Sequence, residues 1–74
     1  MSDRIANLIA FLKDNGYFGM QTFFTRNIVH DPMENIYDED DVQVDLCYPY
    51  GYLEIFGLTG EEQRELCDLM PDSF

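Results

Sequence analysis

Residues 42–48 alternate Val42, Val44, Leu46 and Tyr48 with Gln43, Asp45 and Cys47. A period of two marks a strand with one buried face, because successive side chains leave a pleated strand on opposite sides. Just upstream stand Asp38, Glu39, Asp40 and Asp41, and before them a second short run, residues 33–37. Two strand-like runs joined by a few polar residues read as a β-hairpin. An isolated hairpin is marginal in water, so the remaining chain has to supply a layer that covers its apolar face.

Two helices can do this. Ile5, Leu8, Ile9 and Leu12 follow the i, i+3, i+4, i+7 spacing of one helical face. Ser2 is placed to cap that helix, Asp3 and Lys13 complement its dipole, and Asn15-Gly16 stop it. The spacing predicts a helix over residues 3–15, with Arg4, Asn7 and Asp14 turned to water. At the other end of the chain Thr59 and Glu62 have the spacing of a capping box, in which each side chain reaches the other residue's backbone amide. A second helix starts there, turns Leu66, Leu69 and Met70 inward with help from Cys67, and is ended by Pro71.

Between them, residues 17–29 fit neither period cleanly. Their aromatic and β-branched content favours an extended segment near residues 22–27, and His30-Asp31-Pro32 breaks it with a turn. Residues 52–56 read as a strand with Leu53 and Ile55 on one side and Tyr52, Glu54 and Phe56 on the other, a single helical turn being the competing assignment. The expectation is one α+β domain over residues 1–74. It has an N-terminal helix, three or four antiparallel strands and a C-terminal helix, with both helices on one face of the sheet.

Charge is distributed very unevenly over this plan. The 74 residues carry 15 acids and four bases, a formal charge of -11. Residues 1–30 hold two acids and three bases, whereas residues 31–74 hold thirteen acids and only Arg64, so a near-neutral scaffold end and an acidic recognition end are expected. Such a chain lacks the Lys and Arg needed to neutralise DNA, RNA or an anionic membrane, and a basic protein partner is favoured instead. The acids form two groups. Asp38, Glu39, Asp40 and Asp41 fill the hairpin turn, with Asp45 further along the strand; Glu61, Glu65 and Asp68 recur at i, i+4 and i+7 on the last helix. Each also has a plainer reading, since acids suit a helix's first turn and Asp suits hairpin turns. That leaves the total unexplained, because thirteen acids against one base repel one another beyond any need of solubility.

Tests for site chemistry come out negative. Asp38 and Asp40 match the first and third ligands of a calcium loop, but Val42, Gln43 and Pro49 occupy the fifth, sixth and twelfth positions and break the pattern. Asp38, Asp40 and Asp41 are left as a weak ligand set for calcium or magnesium. One His and two Cys without Cys-x-x-Cys spacing do not make a zinc site, and His30 reads as a turn residue. Cys47 and Cys67 read as reduced thiols whose acidic neighbours raise their pKa. There is no phosphate loop or dinucleotide motif, so neither a cofactor nor an enzymatic activity is expected. Residues 5–12 are too short to span a bilayer and lack the flanks of a secretion signal, which leads to a cytoplasmic expectation. In the tract Tyr48-Pro49-Tyr50-Gly51-Tyr52, either the tyrosines anchor a partner, or Tyr48 and Tyr52 roof the core and only Tyr50 is free.

Small size, the Asp38-Glu39-Asp40-Asp41 turn, and the run from Tyr52 through Phe56-Gly57-Leu58-Thr59 into a Glu-rich helix resemble the small acidic inhibitors of bacteriophages and mobile elements. These include anti-CRISPR and anti-restriction proteins that imitate DNA. The resemblance implies an inhibitor seated in the basic nucleic-acid channel of a host defence enzyme such as a CRISPR effector. Asp38, Glu39, Asp40, Asp41, Asp45, Tyr50, Glu61, Glu65 and Asp68 are its candidate contacts. Two other readings are an adaptor or immunity protein for a basic partner, led by Tyr50 or Phe56, and a homo-oligomeric structural protein.

Overall fold

The computed structural model describes residues 3–25 and 34–70. Helix α1 (Asp3–Asp14) leads to strand β1 (Thr22–Thr25); β2 (Glu34–Glu39), β3 (Val42–Cys47) and β4 (Tyr52–Phe56) follow, and α2 (Gly60–Leu69) closes the order. The four strands form one sheet in the spatial order β1-β4-β3-β2. This is the expected α+β arrangement, with one difference. β2, β3 and β4 are antiparallel neighbours, but β1 runs parallel to β4, Thr22 pairing with Leu53 and Thr25 with Phe56. β3 occupies one edge of β4, which leaves the other edge to β1, and the Leu53 amide donates to the Gln21 carbonyl where β1 begins, at 2.9 Å. A parallel neighbour requires a long crossover, here the whole β2–β3 hairpin, and strand periodicity carries no signal for that.

The alternation in residues 42–48 and 52–56 sorts the sheet into two faces. Val42, Val44, Leu46, Leu53 and Ile55 point to one side. There they join Ile5, Leu8, Ile9 and Leu12 of α1 and Leu66 of α2 in a single core, with Tyr37, Leu58 and Met70 at its margin. The β4 assignment is therefore strand and not a helical turn. The α1 stripe is buried as its spacing requires. Its end is tied down by the Tyr17 and Phe18 amides, which both donate to the Leu12 carbonyl, at 2.8 and 3.0 Å. Among the described residues no helix spans a membrane.

Several boundaries moved. The turn of the hairpin is not four residues but two. β2 runs through Glu39, Glu39 pairs with Val42, and only Asp40 (φ 53) and Asp41 (φ 64) lie in the left-handed region. Two such residues make the turn whose twist matches paired strands, and Asp tolerates that conformation better than most residues. In α2, Leu66 and Met70 are buried but Leu69 is 40% exposed. At about 100° per residue Leu69 sits on the far flank from Met70, so the stripe leans toward Cys67 instead. Arg4 is not turned to water: its guanidinium donates to the Gly57 carbonyl at 2.6 Å and lies 3.6 Å from the Glu62 carboxylate. The expected Ser2 cap, the extension of β1 to Asn27, the His30-Asp31-Pro32 turn, Met33 and the Pro71 stop fall outside the described residues.

Candidate functional site

The candidate contacts do not form one patch. Asp38, Glu39, Asp40 and Asp41 are all exposed at the tip of the β2–β3 hairpin. That tip is packed against the loop between β4 and α2. Gly57 (φ 91) lies so close to it that a Cβ there would overlap the Asp41 carbonyl oxygen. Gly57 is two residues before Thr59, whose hydroxyl accepts from the Glu62 amide at 3.2 Å while its own amide donates to the Glu62 carboxylate at 3.0 Å. The start of α2, with exposed Glu61, is thereby fixed beside the acidic tip. Tyr37 senses the same charges: burial first, then Glu39 and Asp40, push its phenol up from the ordinary 10.0.

Along α2 the acidic stripe has a base beside it. Glu61, Glu65 and Asp68 line one shallow surface depression, but Arg64 and Leu69 line it with them. Arg64 is three residues from Glu61 and four from Asp68, the spacings that bring side chains together on a helix, and is the immediate chain neighbour of Glu65. The base that the charge count treated as negligible thus flanks the stripe on the Glu61–Asp68 side. Arg4 similarly brings positive charge from the N-terminal segment to the acidic end, so the division into scaffold end and recognition end is less complete in space than along the chain.

Asp45 does not belong to the exposed set. It lies on the sheet face opposite the helices, is 5% exposed, and accepts from the Gln43 side-chain amide at 3.0 Å. Directly across from it on β4 is Glu54, 7% exposed. Cys47, expected on the polar side of its strand, is on this face too and fully buried. Burial, then the charge of Glu54, push its thiol above the ordinary 9.0, and Asp45 adds to this; the Tyr52 hydroxyl, hydrogen-bonded to the sulfur, pulls the other way. Both cysteines are free thiols, and Cys67 is also raised, by burial and then by Asp68.

The tyrosine tract is at the opposite end of the sheet from the acidic tip. Tyr48 and Tyr50 are 62% and 70% exposed, and Tyr52 lies on the outer face, stacked on Tyr50 at 6.1 Å and edge-on to Phe23 at 4.9 Å. Neither Tyr48 nor Tyr52 roofs the core under the helices. The sequence gives the outward phase of Tyr52, Glu54 and Phe56, but not that Phe23 and Thr25 stand beside them. Those neighbours follow from the parallel β1–β4 pairing. Among the described residues no group of three or more His, Cys, Asp or Glu could hold a metal ion. Comparison of the chain with protein-family models, curated proteins and solved structures finds no match in any of the three.

Proposed function

We propose that the protein binds a basic nucleic-acid-binding surface of another protein and takes the place of the nucleic acid there. A host defence enzyme such as a CRISPR effector is the partner class in view. The observation that carries this reading is the fixed acidic tip. Four consecutive exposed acids occupy the end of β2 and the two-residue turn after it, whose backbone is wedged against Gly57, next to a capped helix with Glu61 in its first turn. Acids on a flexible tail lose entropy when they are ordered at a binding site, whereas acids on a hairpin braced by a helix start are already ordered. Channels for nucleic acid are positively charged and follow backbone geometry, so a rigid row of carboxylates can substitute for phosphates and speed encounter by electrostatic steering.

Asp38, Glu39, Asp40, Asp41 and Glu61 are the principal contacts in this reading. Glu65 and Asp68 are secondary because they lie further along α2 from the acidic tip, and Asp45 is withdrawn because it is buried. The test is competition for a candidate enzyme between this protein and its DNA or guide RNA, at low and high salt. Displacement that weakens steeply with salt, and that falls by about tenfold or more when Asp38 and Asp40 are both changed to Lys, supports the reading. Binding that survives this reversal, or that leaves the nucleic acid in place, overturns it.

A second reading is favoured by one observation, the exposed Tyr48 and Tyr50. An adaptor or immunity protein could anchor its partner there, at the end away from the acids. In that case Tyr50→Ala would weaken binding more than the double charge reversal does.

A further inference from the structure

The outer face of the sheet holds a cavity that the acidic tip does not use. It has a volume of about 410 Å³ and is lined by Phe23, Phe24 and Thr25 of β1 and by Tyr52 and Glu54 of β4. The pairing explains who meets there. Phe23 stands level with Glu54, and the outward phase of both strands brings Thr25 and Tyr52 to the same side. Phe23 and Tyr52 form an edge-on aromatic wall, with ring centroids 4.9 Å apart, and Phe23 is 40% exposed, so the wall is reachable from solvent. At its base are two polar groups of different kinds. Glu54 contributes a carboxylate that is 7% exposed, backed by Asp45 across the strand pair. Thr25, 8% exposed, contributes a hydroxyl oxygen that is buried and makes no hydrogen bond.

A ligand for this cavity has to satisfy three demands. It must be cationic, because the adjacent carboxylates of Glu54 and Asp45 repel an anion and attract a cation. It must donate to a hydroxyl oxygen as well as to a carboxylate. It must also present a flat face to aromatic rings. Guanidinium meets all three: its N–H groups lie in one plane, two can bond a carboxylate side by side, another can reach a neighbouring acceptor, and its face stacks on a ring. An ammonium group is a compact, strongly hydrated point charge and meets only the first two.

We propose that this cavity receives one arginine side chain of the protein partner, its guanidinium bonded to the Glu54 carboxylate and the Thr25 hydroxyl and laid against Phe23 and Tyr52. The source of the arginine rests on the reading of a basic partner, while the recognition chemistry is local to the cavity. Arginine is also the residue most suited to carry the binding energy of such a contact, since planar, bidentate and stacked interactions are lost when Lys replaces it.

The experiment is a titration of the ¹⁵N-labelled protein with N-acetyl-arginine methylamide, followed by amide chemical shifts, with N-acetyl-lysine methylamide as the comparison. The expected result is saturable shifts centred on Phe23, Thr25, Tyr52 and Glu54, with an affinity on the order of millimolar and at least about fivefold weaker binding of the lysine compound. Glu54→Gln should weaken the arginine compound by about tenfold. Because a change at a buried carboxylate can unsettle the fold, Phe23→Ala, at an exposed edge position, is the second variant and should weaken it as well. Shifts centred on Asp38 to Asp41, equal response to the lysine compound, or undiminished binding by folded Glu54→Gln or Phe23→Ala protein would overturn the proposal. Because the titration contains no enzyme and no nucleic acid, it can fail while competition succeeds, or the reverse, and the two readings fall separately.

Discussion

The two faces of the sheet both bury side chains, but of different kinds. On the helix side Val44, Leu53 and Ile55 are buried because α1 and α2 lie over them, and every group in the layer is apolar or nearly so. On the other side no described helix or strand lies over Asp45, Cys47 and Glu54, yet they are 5%, 0% and 7% exposed. Beside them on the same face stand Tyr52, edge-on to Phe23 and bonded to the Cys47 sulfur, and Gln43, bonded to Asp45. The face under the helices is almost wholly hydrocarbon, the hydroxyl of Thr22 being an exception. The other face holds two carboxylates and a thiol beside a partly exposed aromatic edge. In the proposed reading, stability and recognition are divided between the two sides of one sheet.

The largest test of this division compares equivalent truncations on the two sides. Leu53→Ala removes a fully buried side chain from the layered face and should cost about 3 kcal/mol, a large share of the 5–15 kcal/mol typical of whole domains. Phe23→Ala removes a larger side chain from the open face and should cost under about 1 kcal/mol, because it is 40% exposed at an edge. Urea unfolding of both variants decides the matter. Equal losses would mean that the outer face carries as much of the fold as the core does.

Gly57 connects the core to the acidic tip, and Gly57→Ala tests that connection. The added methyl meets the Asp41 carbonyl, and φ 91 is a conformation that side chains avoid. We expect a loss on the order of 2 kcal/mol and displaced resonances at Asp40 and Asp41 in a folded variant. Partner binding should fall with them. A variant that is as stable as the parent, with the tip unmoved, would show that the turn is not braced by this contact.

These contrasts also mark how far the sequence could be read. Period-two and period-3.6 patterns revealed the faces of β3, β4 and α1, and Thr59 and Glu62 revealed the start of α2, because each is a local relation among residues a few positions apart. The pairing of β1 with β4 joins Thr22 to Leu53, 31 positions away, and no local pattern encodes which edge or direction a strand will take. The cavity was hidden for that reason, since three of its lining residues come from β1 and two from β4. Composition misled on charge: Arg64 is one base among thirteen acids in its half of the chain, but on a helix it neighbours both Glu61 and Asp68 at once. The burial of Asp45 was also illegible, because alternation assigns a residue to a face and says nothing of how that face is closed.

High pH should act on both faces, through different groups. Tyr37 at the core margin and Cys47 on the outer face both bind their protons more tightly in the folded protein than at their ordinary values of 10.0 and 9.0. A raised pKa favours folding at every pH below the ordinary value, and that contribution is lost as pH climbs through the folded one. The melting temperature should therefore hold up to about pH 9 and fall above it, first through Cys47 and then through Tyr37. Cys47→Ala should reduce the earlier part of the decline, which Cys67 shares, and Tyr37→Phe the later part, which Tyr52 shares. A decline untouched by either substitution would place its origin elsewhere.

The smallest effect is the most discriminating. Thr22 and Thr25 are three residues apart on β1, both buried, each with a hydroxyl that makes no hydrogen bond. Thr22 pairs with Leu53 and faces the helices, whereas Thr25 pairs with Phe56 and lines the outer cavity. A buried hydroxyl without a partner is destabilising, so Thr22→Val and Thr25→Val should each raise stability by up to about 1 kcal/mol. On stability alone the two substitutions look alike. They differ in the arginine titration, where Thr25→Val should weaken binding by about threefold and Thr22→Val should leave it unchanged, since the proposal makes the Thr25 hydroxyl an acceptor for the ligand, whereas that of Thr22 faces the core. If both variants gain stability and bind the arginine compound like the parent, Thr25 is a packing residue and the cavity's selectivity rests on Glu54 and the rings alone.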